Sequence, residues 1–334
     1  MRRLIAFLLA VFLLVAICSC ELSYQAPEIG KMHILVYGND YSYGNKVVSV
    51  SGETIEGFSA SPLYKTVNDA LQVGKALSAL AGKAGLDYEA CYLIGRETVS
   101  VTDAKSVFKN DVTKAALESE IGSIAASSSE CDITVIYYSG HGHGVNSRLD
   151  YGSDTSASSY LVPRQSSASD SSILFQVSEF LQLVESIDGV KIIIGDFCHS
   201  GSLVQSNYFS VTSGEYLQMD VSDLFAKYRN VICINPSLFC LSASRYNELS
   251  YEIPDKDKYG NPLPNSPKHG YFTYALLEAL GWDEDNQCLK TAAAEKNNRI
   301  TLSAIAEYVV SHDEESKQTP MVSGGSNDIV LFSF

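Results

Sequence analysis

From residue 33 onward, short runs of apolar residues alternate with longer stretches of helical periodicity, and this alternation restricts the possible folds more than any other feature of the chain. Segments 33–37 (HILVY), 88–94, 133–138 (ITVIYY) and 190–194 (VKIII) each read as a strand covered on both faces, since apolar residues follow one another with few polar interruptions. A fifth strand is expected within 231–242 and a last one at 329–334. Helices are expected at 68–82, where Asn68 and Asp69 open the pattern, and at 111–127, 178–187, 270–280 and 301–310. Strands joined by amphipathic helices make a mostly parallel sheet, because right-handed crossovers lay the helices on both faces. One α/β domain over 33–334 accounts for the whole pattern. Its core is supplied by a chain that is 46% hydrophobic, which argues against disorder. A net charge of −15 argues against a nucleic-acid partner, which would require clustered Lys and Arg.

The N-terminus reads as an export signal and not as part of the fold. Met1, Arg2 and Arg3 give a basic start, and the apolar run over 4–17 is shorter than the roughly 20 residues of a spanning helix. Ile17, Cys18 and Ser19 then lead to Cys20, a pattern that resembles a bacterial lipobox with Cys20 as the lipidated residue. The expected organisation is a signal peptide over 1–19, a tether over 20–32 and the domain over 33–334. The protein is expected outside the cytoplasm, anchored to a membrane by lipid, on the periplasmic side or the cell surface. Ordinary signal cleavage without lipid, or an uncleaved anchor, is the alternative. Of the remaining cysteines, 91, 131, 233 and 240 sit in apolar surroundings and read as small buried hydrophobes.

In open α/β sheets the groups that act lie beyond the carboxyl ends of the strands. After the third strand come Ser139, Gly140, His141, Gly142, His143 and Gly144. After the fourth come Gly195, Asp196, Phe197, Cys198, His199, Ser200 and Gly201. Neighbouring parallel strands would bring His141 and Cys198 to one edge as base and nucleophile. An imidazole near neutrality can take the thiol proton and later protonate a leaving group. The glycines let backbone amides approach a substrate carbonyl, and the N–H groups of Gly142 and Cys198 are candidate oxyanion donors. His143 and His199 could instead suggest a metal, but no carboxylate or cysteine completes a known ligand spacing.

These two blocks resemble the catalytic blocks of metacaspase-like and other bacterial caspase-like cysteine peptidases. The resemblance continues in order through 63–69 (LYKTVND), 160–163 (YLVP), 241–252 (LSASRYNELSYE), 269–280 (HGYFTYALLEAL) and 318–320, and so covers nearly all of 33–334. It implies a caspase-like three-layer sandwich with a six-stranded, mostly parallel sheet. It also implies His141 as catalytic histidine, Cys198 as nucleophile, and a protein or peptide substrate. The resemblance further implies that Asp69, Asp196 and Ser242 line the substrate site, where two carboxylates would select Arg or Lys by charge. For Asp69 helix N-terminal stabilisation is the competing role, and for Asp196 the bracing of a loop. Arg245, after strand five, could instead read an acidic residue. Residues 255–261 begin like a calcium loop, but Ser266 stands where the twelfth-position Glu should be. No cofactor is therefore expected. Lys227 and Arg229 are candidate sites of self-cleavage. A silent surface binding module with the same fold, or an amidase acting on cell-wall peptides, remains as an alternative.

Overall fold

The computed structural model describes residues 30–41, 62–95, 103–144, 159–164, 174–204, 238–312, 318–323 and 329–334. Cys20, Lys227, Arg229 and Cys233 lie outside them, as does the rest of the expected signal and tether. In chain order the first half contains β1 (Lys31–Gly38), α1 (Thr66–Lys83), β2 (Asp87–Ile94), β3 (Ser106–Lys109), α2 (Lys114–Ser127) and β4 (Ile133–Ser139). Then follow β5 (Gly142–Gly144), β6 (Ser159–Leu161), β7 (Phe175–Gln176), α3 (Val177–Glu185), β8 (Val190–Asp196) and β9 (Leu238–Ser242). The last part holds α4 (Tyr271–Leu280), β10 (Trp282–Asp283), β11 (Cys288–Leu289), β12 (Glu295–Lys296), β13 (Arg299–Thr301), α5 (Leu302–His312), β14 (Met321–Ser323) and β15 (Val330–Ser333).

Seven strands form the central sheet in the order β14-β9-β8-β4-β1-β2-β3. All neighbours in it run parallel except β14, which pairs antiparallel with β9. Because the pleat sends successive side chains to opposite faces, each apolar strand feeds two cores. On one face Ile34, Val36, Val135, Tyr137 and Ile192 pack with Val73 and Leu77 of α1, Leu276 of α4 and Ile305 of α5. On the other, Leu35, Tyr37, Ile136, Tyr138 and Ile193 pack with Leu117 of α2 and Phe180 of α3. The three-layer α/β architecture of the expectation is thus present.

Several particulars differ from the sequence reading. The sheet has seven strands where six were expected, and β3 was not foreseen: it has four residues, alternates half-buried with exposed, and closes one edge. The strand expected at 329–334 forms as β15, but it joins a small antiparallel sheet with β12 and β13, while β14 occupies the edge of the central sheet. Helix α1 begins two residues earlier than Asn68, where the Thr66 hydroxyl donates to the carbonyl of Asn39 at 2.7 Å. Cys240 is buried as expected, but Cys131 is exposed, because it belongs to the turn before β4 and not to the strand.

Candidate active site

The register between β4 and β8 decides where the two motif loops begin. Ser139 and Asp196 are the last partners of that parallel pair, so His141 and Cys198 each stand two residues beyond it. The two loops also touch. The N–H of Gly140 donates to the carbonyl of Asp196 at 3.3 Å. A Cβ on Gly142 would lie 2.0 Å from the Cys198 carbonyl oxygen and 2.4 Å from the Phe197 ring, so only glycine lets the backbones approach this closely.

His141 is pinned by its backbone. Its N–H donates to the Tyr41 hydroxyl at 2.8 Å, and its carbonyl accepts from the N–H of Val162 at 3.1 Å and the Tyr138 hydroxyl at 3.4 Å. The Tyr41 ring lies 4.5 Å from the imidazole, centroid to centroid. Cys198 points its thiol at the Ser250 carbonyl, 3.8 Å away. Burial pushes that thiol up from its ordinary pKa, so the resting thiol is neutral.

The residue after Cys198 bends the chain. His199 has φ 65°, a left-handed conformation uncommon for a side chain of its size, and it clamps the Cys198 loop to the segment after β9. Its N–H donates to the Glu248 carbonyl at 2.8 Å, and its Nδ1 lies 2.7 Å from the Tyr246 carbonyl, which assigns the proton to Nδ1. Burial lowers the pKa of both His199 and the neighbouring His143. Among the described residues no group of three or more His, Cys, Asp or Glu is arranged to hold a metal ion.

Asp196 is buried, and two hydroxyls donate to its carboxylate: Ser250 to Oδ1 and Thr273 to Oδ2, each at 2.6 Å. Burial raises its pKa against those hydrogen bonds. Asp69, in the first turn of α1, accepts from His269 Nδ1 at 2.7 Å, while His269 Nε2 lies 2.8 Å from Glu284. An imidazole can donate from both nitrogens only as the cation. Burial would lower the pKa of His269, but its hydrogen bonds to the two carboxylates raise it to about 9. Burial also raises the Asp69 carboxyl, to about 7, against the pull of His269. Asp69 is therefore neither a simple helix cap nor an unengaged specificity group.

Two other expected residues stand differently from the sequence reading. Ser242 is fully buried in β9 with its hydroxyl donating to the Ser244 carbonyl at 3.2 Å. Arg245 is engaged with Glu248, its Nε 3.8 Å from the carboxylate. In the suspected calcium segment, Asp257 accepts instead from the N–H groups of Tyr259 and Asn261, at 2.8 and 2.9 Å, closing its own turn. The sequence reading missed Tyr41, Ser250, Thr273 and His269. Ser250, Thr273 and His269 lie in the segments 241–252 and 269–280 that carry the resemblance, but no chemistry in those segments singles them out.

A family model described as the caspase domain matches residues 50–328 of the chain. No curated protein matches it. Among solved structures the chain is similar to protein GSU0716 from Geobacter sulfurreducens, at 17% identity and a TM-score of 0.46, with 89% of this chain and 94% of that one covered.

Proposed function

The chain belongs to the caspase domain family of cysteine peptidases, and from that premise we propose that it is an exported endopeptidase working through Cys198 and His141 and cutting after Arg or Lys. The observation that carries this reading is the β4–β8 register, which starts both motif loops from one pair of residues, together with the close backbone approach of Gly142 to Cys198.

A neutral resting thiol sets the order of steps. His141 takes the Cys198 proton as the sulfur attacks the scissile carbonyl carbon, and the resulting oxyanion is met by the backbone N–H groups of Gly142 and Cys198. The carbon–nitrogen bond then breaks, and the imidazolium returns its proton to the leaving amine. Water, deprotonated by His141, attacks the thioester, and the thiol is restored. Each step uses groups of the chain, so no cofactor enters the proposal.

The basic preference rests on Asp196, two residues before the nucleophile. Asp69 is engaged by His269; Asp196 accepts from Ser250 and Thr273, and its remaining acceptor capacity is what a guanidinium or ammonium would answer. The engagement of Arg245 by Glu248 argues against acidic selection. Export and anchoring rest on the basic start, the apolar run and Cys20.

A positional-scanning peptide library assayed with wild type and Cys198→Ala tests the reading. The expected result is cleavage after Arg or Lys by wild type alone. No turnover of any peptide would turn the reading to a binding module, and turnover of cell-wall stem peptides alone to an amidase.

A further inference from the structure

Tyr41 follows Gly38, Asn39 and Asp40 at the end of β1 and belongs to neither motif loop, yet it touches His141 in two ways. Its hydroxyl accepts from the His141 N–H at 2.8 Å and donates to the Val162 carbonyl at 2.5 Å. Its ring stands 4.5 Å from the imidazole, the planes inclined at 54°. The residue is only 2% exposed. It also holds a φ of 54°, steadied by its N–H donating to Asn39 Oδ1 at 3.2 Å. A bulky residue in the left-handed region is strained, and such strain persists where surrounding contacts over-determine it. Here those contacts converge on the proposed base. Gly140 belongs to the same arrangement, since a Cβ there would lie 2.7 Å from the Tyr41 oxygen.

We propose that Tyr41 is a positioning residue for the imidazole of His141: its hydroxyl fixes the backbone from which the imidazole projects, and its ring limits the rotation of that imidazole. The inference rests on the reading of His141 as base. Burial keeps the phenol protonated well above neutral pH, so the hydroxyl serves as a fixed donor and acceptor and takes no part in proton transfer.

The test uses Tyr41→Phe, which removes the hydroxyl and keeps the ring, and Tyr41→Leu, which removes both. The first readout is the rate of Cys198 alkylation by iodoacetamide as a function of pH, which requires no peptide substrate. Wild type should show a step where the imidazole titrates. Tyr41→Leu should shrink that step about tenfold, and Tyr41→Phe should shrink it less. On a cleaved peptide, Tyr41→Phe should lower kcat several-fold with KM within about twofold. The proposal is overturned if both variants melt with wild type and keep its alkylation profile. It is overturned equally if Tyr41→Phe fails to fold, which would make the contact purely structural. A wild type that cleaves no peptide while the Tyr41 variants alter the alkylation step would sink the proteolytic reading and leave the role of Tyr41 standing.

Discussion

His269 donates to Asp69 and Glu284 at once, and this gives the stability of the fold a pH dependence of known sign. Its pKa in the folded chain, about 9, lies above the ordinary 6.5, so its contribution is complete below about 6.5 and is lost as pH rises through about 9. The amount is at most roughly 3–4 kcal/mol. Thermal midpoints of wild type measured from pH 7 to 10 should therefore fall more steeply than those of His269→Asn; parallel curves would mean the imidazolium is absent. That His141 and Cys198 stand just beyond neighbouring strand ends was legible in the sequence because glycines and apolar runs frame them. Ser250, Thr273 and His269 were not, because their partners lie tens to hundreds of residues away and only the folded sheet brings them together. The burial of Ser242 was hidden for the converse reason: a strand-end serine looks exposed until the neighbouring strands β8 and β14 enclose it.

The paired ends of β4 and β8 show how little tolerance the site has for added volume. Replacing Gly142 with alanine forces its Cβ against the Cys198 carbonyl, so one of the two loops must move by an ångström or more. Such a displacement should lower kcat/KM by about 10²-fold while the thermal midpoint falls only modestly. An alanine variant with wild-type kcat/KM would show that the loops need not approach so closely. The strands and helices that build this frame were readable because their apolar runs are long, and most boundaries agree to within a few residues. Edges were harder. β3 has four residues and one exposed flank, and β14 has three residues, so neither presents enough periodicity to be distinguished from loop. β15 had the right pattern, but the pattern does not say which sheet a strand joins.

Across the whole molecule, anchoring and chemistry separate along the chain: the expected lipid site is Cys20, and the proposed dyad begins at residue 141. Cys20→Ala should release the protein from the membrane into the soluble fraction, checked by fractionation and by incorporation of labelled fatty acid. Peptidase activity should persist at close to its wild-type level, and a Cys20→Ala protein that stays membrane-bound would remove the lipid anchor from the reading. The strand order carries a different consequence. β8 and β9 lie side by side, bonded from Lys191↔Leu238 to Gly195↔Ser242, although residues 205–237 separate the described parts of the chain around them. Scission anywhere in that interval would yield two polypeptides still zipped together by backbone amides. One would own the imidazole and the sulfur, and the other would own Ser250, Thr273 and His269, so neither half could inherit the complete chemistry without its sister.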